Sequence, residues 1–314
     1  MKFPGDPYRL PEDKQQAMKR AKRLAWITIA FMISIIAVIG ITMGSSEAMK
    51  AVWIEDLLSL IPPVAFLIGT RYFHRPPDAE FPYGYRRAVM IAFLTAAVAL
   101  LGFGLYILIH AVLSLVMAEA PTIQTIEIFG RRIWLGWVMI AALVYSVIPP
   151  FILGRIKQPL AHELHQKALQ TDANMNKGDW LAGLAGVLGI VGVAYGYWWA
   201  DAVAAIIISV EILRDGLSDL RHSVAQLMNK RPSDVDEKPD PTPGKLQHEL
   251  ERLDWVRQAR VRLREDGDVL TGEAFVVPRD EVDLLNRLGK AQEVAHAVDW
   301  RLHDVQIVHV RSLE

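Results

Sequence analysis

The sequence contains no cysteine among its 314 residues. This absence excludes disulfide bonds, thiolate metal ligands and cysteine nucleophiles. The formal net charge is −1, so no overall basic field indicates nucleic acid as a partner. The sequence also lacks a nucleophile–base pair, a zincin motif and a glycine-rich phosphate loop. It therefore indicates neither an enzyme nor a protein with an organic cofactor.

Hydrophobic residues are abundant, at 52% of the chain, but they are unevenly distributed. Long apolar runs occupy residues 24–227, whereas residues 1–23 and 228–314 are polar. A helix needs about 20 apolar residues to cross the hydrocarbon core of a bilayer. Six segments qualify: Leu24–Met43, Ala51–Phe73, Ala88–Met117, Ile133–Gly154, a helix ending near Tyr195, and Asp201 to about Leu217. We therefore predict an α-helical polytopic membrane protein with six transmembrane helices.

Lysine and arginine are concentrated in alternate loops, which predicts the orientation. They occur in the N-terminal tail, in the second-to-third loop, in the fourth-to-fifth loop (Arg155, Lys157 and Lys167) and after the sixth helix. The other loops contain fewer. We expect a multi-pass protein of the cell membrane, plasma or inner, with both termini in the cytoplasm.

The polar C-terminal region has its own pattern. Residues 228–244 contain four prolines and many charges, which predicts a linker. Beyond it, residues 245–314 show helical periodicity, two alternating strands around a "GD" turn, a second helix and the final strand "VQIVHVR". We predict a cytoplasmic α-β-β-α-β unit, a small α+β domain with ferredoxin-like topology.

Polar side chains are concentrated in two of the predicted spans. The second span has "AVWIEDLLS" and the fifth begins with "TDANMNKGDWLAG". Charge at membrane depth is costly and indicates function. Residues three or four apart share a helix face, so each span presents a polar stripe. The candidate ligands are Glu55, Asp56 and Ser59 on one span and Asp172, Met175, Asn176 and Asp179 on the other.

If these two spans touch, their carboxylates can share a divalent cation. Without the cation the carboxylates repel each other, and protons relieve the repulsion. Asp179 is the deepest acid of the fifth span and the strongest candidate. Glu55 and Asp56 are about 100° apart on a helix, so only one of them faces a given ion. Asp172 is either a ligand or a helix-end charge, and Lys177 either pairs with it or extends towards the headgroups.

Three stretches resemble the cation diffusion facilitator family. "FPYGYRR" is similar to the motif that opens the third helix in that family, "TDANMNKGDWLAG" to its A-D-A-x-H-x-x-S-D motif, and "YGYWWADAVAAIIIS" to its turn into the sixth helix. The resemblance covers most of the chain. It implies a homodimer, formed through the transmembrane and C-terminal domains, that exports divalent metal in exchange for protons.

The candidate site departs from the family pattern, which usually has [HD]-x-x-x-D on both helices. Aligning the motifs places Glu55 and Ser59 on the first pair and Met175 and Asp179 on the second, so only Asp179 matches. Asp56 and Asn176 stand one residue beyond pattern positions. Without histidine the set is rich in oxygen, which favours manganese, magnesium, iron or cobalt over zinc. Zinc remains open because it is the commonest cargo of the family.

The resemblance also implies secondary sites. His309 is the candidate for a metal site in the cytoplasmic domain, which we expect mainly to dimerise. Asp78 and Glu80 form a candidate metal-access site in the loop before the third helix. The missing pattern residues leave an alternative open, a partner or structural subunit that has the same fold but transports no ion.

Overall fold

The computed structural model describes residues 10–72, 78–119, 121–128, 131–267, 269–280 and 282–313, without the side chains at positions 13, 72, 89, 126, 128, 131 and 174–179. The elements of the first 227 residues are α1 (Glu12–Thr42), α2 (Glu47–Leu58), α3 (Ile61–Tyr72), α4 (Ala88–Val116), β1 (Thr125–Ile128), β2 (Arg131–Trp134), α5 (Leu135–Leu164), α6 (Lys167–Ala194) and α7 (Ala200–Leu227). The C-terminal unit follows, with α8 (Thr242–Glu251), β3 (Val256–Asp266), β4 (Val269–Pro278), α9 (Leu284–Val298) and β5 (Leu302–His309).

Four helical segments are long and apolar enough to cross a membrane: Lys14–Thr42, Glu47–Arg71, Met90–Val116 and Leu135–Leu164. They correspond to the first four predicted spans. In α6 the described apolar part is shorter, Trp180–Ala194. In α7, acidic and basic residues such as Glu211 and Arg214 interrupt the apolar run. The helical transmembrane domain is thus confirmed, while the fifth and sixth spans stay predictions.

Several helices extend beyond their predicted apolar limits. The first begins at Glu12, within the predicted tail, and the last of the bundle ends at Leu227 instead of near Leu217. The fourth-to-fifth loop was predicted wrongly, because α5 continues to Leu164 and includes Arg155 and Lys157. Lysine, arginine, glutamine and glutamate are good helix formers. Hydropathy therefore locates the bilayer-spanning part of a helix but not its ends.

The second span is broken instead of continuous. It forms α2 and α3, which are separated at Ser59 and Leu60. This broken span occupies the middle of the bundle, where both halves contact α1, α4 and α6. The first half, α2, also contacts α7. Asp56 and Ser59, at the break, are buried among these helices.

Glycines of α6 allow its neighbours to approach closely. A Cβ atom added at Gly183 would lie 2.5 Å from Cγ2 of Val147 in α5. One added at Gly189 would lie 2.9 Å from Cβ of Ala204 in α7. Small residues commonly line helix contacts in membranes. They fix α6, which carries the polar segment, between α5 and α7.

The C-terminal unit contains a three-stranded sheet with the order β3-β4-β5. β3 and β4 are antiparallel around the turn at Gly267, whereas β5 pairs in parallel with β4 through the α9 crossover. The buried core lies between the sheet and the two helices, α8 and α9. A small α/β unit is therefore confirmed. The ferredoxin-like order βαββαβ has four strands, and the three described strands do not confirm it.

Candidate functional site

The break in the second span has a simple backbone cause. The N–H of Ser59 still donates to the carbonyl of Glu55, at 2.9 Å. The N–H of Leu60 instead reaches the carbonyl of Leu57, only three residues back, at 3.4 Å. The next residues include Pro62 and Pro63, which have no N–H to donate. We predicted a kink at the two prolines, and the structure places a local break of the helical hydrogen-bond pattern just before them, at Ser59 and Leu60.

The second-span candidates lie in the last turn of α2, directly at this break. Asp56 is buried, with 3% of its surface exposed, and Ser59 is buried as the C-terminal capping residue. Glu55 is half-buried, although its Oε2 atom is buried. The motif alignment favoured Glu55 as the ligand, whereas Asp56 is the more buried of the two, and each has one buried carboxylate oxygen. The choice between them stays open.

The fifth-span candidates lie in the first half of α6. Residues 174–179 are helical, but the side chains of Met175, Asn176 and Asp179 lie outside the described residues. Their positions on the helix are nevertheless defined by the backbone. Positions 172 and 179 are two turns apart on one face, because seven residues rotate a helix by about 700°. The helical backbone therefore puts positions 172 and 179 on one side of α6, as the sequence predicted.

The two spans do touch, and one contact gives their register. A Cβ atom at Gly186 of α6 would lie 3.7 Å from Cγ2 of Val52 in α2. The helices run in opposite directions, so moving seven residues from this contact brings Ser59 level with Asp179. Glu55 and Asp56 lie about 4–6 Å further along the axis, at about 1.5 Å per residue. That distance is within reach of carboxylate side chains that share one ion.

Asp172 binds a partner that the sequence did not indicate. Nζ of Lys157, in α5, donates to Oδ2 of Asp172 at 2.5 Å. Both side chains are buried, with 0% and 2% exposed. We had assigned Lys157 to a loop and had considered Lys177 as the partner. The continuation of α5 past its apolar run brings Lys157 against α6. The proposed ligand role of Asp172 remains a prediction.

The candidate ligands have the chemistry that a hard divalent cation prefers. Carboxylate and neutral oxygen ligands suit manganese and magnesium better than they suit soft metals. Among the described residues there is no group of three or more histidine, aspartate or glutamate side chains that could hold a metal. The side chain of Asp179 lies outside the described residues. A metal site at the break would therefore need ligands from α6, such as Asn176 and Asp179, in addition to those of α2.

The loop candidates have a structural role in the described chain. Oδ1 of Asp78 accepts hydrogen bonds from the backbone N–H groups of Glu80, at 3.1 Å, and Phe81, at 2.8 Å. Its Oδ2 accepts a short hydrogen bond from the hydroxyl of Tyr85. The Glu80 side chain is exposed. Asp78 thus shapes the loop before α4, and the metal-access role of the pair stays a prediction.

The candidate in the C-terminal unit is His309. His309 is half-buried at the end of β5, where it pairs with Val276 of β4. Within the described part of the C-terminal unit, no cluster of metal-binding side chains surrounds it. A regulatory metal at His309 remains a prediction without structural support.

Sequence reasoning also missed how α2 is anchored. Asp201, at the start of α7, is buried and accepts from Oγ of Ser46 at 2.5 Å and from the backbone N–H of Glu47 at 2.6 Å. Ser46 in turn caps α2 by accepting from the N–H of Met49 at 3.1 Å. An aspartate at the first turn of α7 was visible in the motif, but its partner lies 155 residues away.

Comparisons with known proteins identify the family of the helical domain. Residues 24–228 match the cation efflux transmembrane domain. The chain is 25% identical to the manganese efflux system protein MneS of Bacillus subtilis, over 96% of this chain and 99% of that protein. It is 24% identical to the manganese efflux system protein MneP of the same organism, over 96% and 98%. The magnetosome protein MamM of Paramagnetospirillum magneticum is 27% identical over 62% of this chain and 58% of its own length.

Proposed function

The chain belongs to the cation efflux family, also called cation diffusion facilitators, and we propose that it exports divalent manganese in exchange for protons. The family assignment makes it a metal cation transporter of the membrane and not an enzyme. The ion and the mechanism are our proposal. The observation that supports it is the contact between α2 and α6, whose register brings Ser59 level with Asp179 and leaves Glu55 and Asp56 about 4–6 Å away along the axis.

The choice of metal rests on ligand chemistry and on the relatives. The candidate ligands are oxygen atoms, with Met175 as a candidate thioether, and none is a histidine. Manganese accepts such a set more readily than zinc does. Two relatives that match almost the whole chain are named as manganese efflux systems. Magnesium, iron, cobalt and zinc are competitors that the experiment below separates from manganese.

The proposed six-span topology would put the site between two compartments. Six spans follow if α6 and α7 also cross the bilayer, and α6 and α7 each have 28 residues. At about 1.5 Å per residue, such a helix is longer than the hydrocarbon core of about 30 Å. The distribution of lysine and arginine then places both termini in the cytoplasm. The C-terminal unit and the start of α6 are on that side.

Proton coupling follows from charge. An aspartate and a glutamate that face each other in a poorly hydrated site repel strongly when both are ionised and the ion is absent. Either a doubly charged ion or protons relieve that repulsion. Asp179 is the proposed central ligand and proton acceptor, with Glu55 or Asp56 opposite and Ser59 and Asn176 completing the shell. We propose that the homodimer alternates access by moving helices around this site.

Transport by inverted membrane vesicles tests the proposal. Vesicles that contain the protein are given a pH gradient, and uptake of Mn²⁺ is compared with uptake of Zn²⁺, Co²⁺, Fe²⁺ and Mg²⁺. We expect Mn²⁺ uptake that depends on the gradient and is abolished in Asp179→Ala. Glu119→Gln, which changes an exposed acid outside the site, is the matched control and should transport normally.

Two outcomes would contradict the proposal. A folded Asp179→Ala variant that transports as well as the wild type would remove Asp179 from the site. Titration calorimetry without any binding of Mn²⁺, Zn²⁺ or Co²⁺ to the membrane domain would support the alternative, a subunit that does not transport. That alternative is not favoured, because the full-length relatives are named as efflux systems.

A further inference from the structure

The buried ion pair between Lys157 and Asp172 has no role in the transport site proposed above. Lys157 is one of the largest fully buried side chains among the described residues. Its ammonium group lies 2.5 Å from the carboxylate of Asp172. A buried charge pair costs desolvation energy and is a poor source of stability. Its presence in the interior of a transporter therefore calls for a second explanation.

The position of Asp172 in the fold suggests an explanation for the buried ion pair. It lies on the same face of α6 as Asp179, about 10 Å nearer the start of the helix. One turn before Asp172, Leu169 of α6 belongs to the same buried cluster as Phe66 of α3. In the proposed orientation this is the cytoplasmic side of the site. A metal ion that enters from the cytoplasm approaches Asp172 before it reaches Asp179.

A bare carboxylate at that point would retain the ion. Carboxylates are the preferred ligands of hard divalent cations, and a weakly hydrated one attracts them strongly. A transported ion must be able to leave each position on its path. Lys157 provides a positive charge that is attached to the protein and sits where a cation would bind. Its ammonium is fully buried, so the side chain does not extend to the membrane surface as lysines at helix ends commonly do.

We propose that Lys157 occupies the cation position at Asp172 and prevents this carboxylate from binding the transported metal. Lys157 is thus a positioning residue that limits metal binding to the site at Asp179. This inference rests on the proposed function for the identity of the ion and for the direction of its path. It also explains why an aspartate at a family motif position is paired with lysine.

Four variants of the full-length protein test the inference: Lys157→Gln, Lys157→Arg, Asp172→Asn and the double variant Lys157→Gln/Asp172→Asn. Each is purified in detergent and checked for thermal stability, and Mn²⁺ binding is measured by titration calorimetry. Uptake into vesicles then gives KM and kcat separately. The double variant has two neutral side chains of similar size and is the matched control for the loss of the pair.

We expect Lys157→Gln to bind Mn²⁺ about tenfold more tightly or to bind an additional ion, the scale on which charged neighbours change metal affinity. Its KM and kcat should both fall, because the ion is retained. Lys157→Arg should keep wild-type affinity, and the double variant should lose the gain in binding. Asp172→Asn leaves the ammonium without its carboxylate, so its Mn²⁺ affinity should decrease.

Unchanged or weaker Mn²⁺ binding in Lys157→Gln would overturn the inference. If that variant does not fold, Asp172→Asn decides, and wild-type or tighter binding in it would overturn the inference as well. Failure of the proposed function gives a different result. In that case the wild type shows no Mn²⁺ uptake, while the comparison of binding between variants still tests the role of Lys157.

Discussion

Replacing Asp201 with alanine should remove the hydrogen bonds that hold the start of α2 against α7. Its two carboxylate oxygens accept from Ser46 at 2.5 Å and from the backbone of Glu47 at 2.6 Å. Asp201 is buried, with 2% of its surface exposed. The substitution leaves one hydroxyl and one backbone N–H without an acceptor, and it weakens the cap of α2 that Ser46 provides.

The magnitude follows from these two bonds. A hydrogen bond to a charged group contributes about 1.5–3 kcal/mol. Loss of both should therefore lower the free energy of unfolding by about 3–5 kcal/mol, after some relaxation of the helix ends. Asp201→Asn retains one acceptor and should cost about half as much. Lys50→Gln removes only a partly exposed pair with Glu47, so the change should stay within about 0.5 kcal/mol.

Unfolding in mixed micelles with increasing denaturing detergent gives the three free energies on one scale. Manganese uptake of the same variants then shows whether the start of α2 also positions Glu55 and Asp56. We expect destabilisation to increase in the order Lys50→Gln, Asp201→Asn, Asp201→Ala. Unfolding of Asp201→Ala at the same detergent fraction as Lys50→Gln would refute this prediction.

Two further predictions concern the C-terminal unit. Gly272 has φ +153°, and a Cβ atom there would meet a backbone carbonyl of the neighbouring strand, so Gly272→Ala should destabilise the unit by about 1–3 kcal/mol. Gly289→Ala, in open space within α9, should stabilise it by about 0.5–1 kcal/mol, and hydrogen exchange of the sheet measures both. Burial raises the pKa of Asp240 and Asp299, but hydrogen bonds from Arg301 and Thr242, together with the charge of Arg301, outweigh burial and hold each pKa below its ordinary value. Because the unfolded state then binds more protons in acid, the unit should lose stability below about pH 4. Thermal melts from pH 7 to pH 3 measure this loss, and Arg301→Met should remove most of the dependence of stability on pH.

The sequence predicted those parts of the fold that depend on local pattern. Apolar runs located the first four spans, and alternation located the strands β3 and β4. It did not predict the ends of helices, because polar helix formers continue a helix after the bilayer ends. The local break at Ser59 was only suggested by Pro62 and Pro63, since a proline bends some helices and interrupts others.

For the candidate site, the sequence indicated which residues carry charge but not which of them pair. The stripe on α6 followed from helical spacing, and the contact between α2 and α6 was a hypothesis that the structure supports through Val52 and Gly186. The partner of Asp172 could not be found in this way. Lys157 is 15 residues distant, on another helix, and hydropathy had placed it in a loop. Long-range pairs depend on helix packing, which periodicity does not define.

The most direct measurement is the position of the ion itself, from anomalous diffraction of crystals soaked in Mn²⁺. The account predicts a peak at the break of the second span, about 2.2 Å from carboxylate oxygens of Asp179 and of Glu55 or Asp56. It also predicts no peak at Asp172 in the wild type. A structure in which the peak lies elsewhere, with the acids of α2 and the aspartate of α6 bound to unrelated partners, would contradict it.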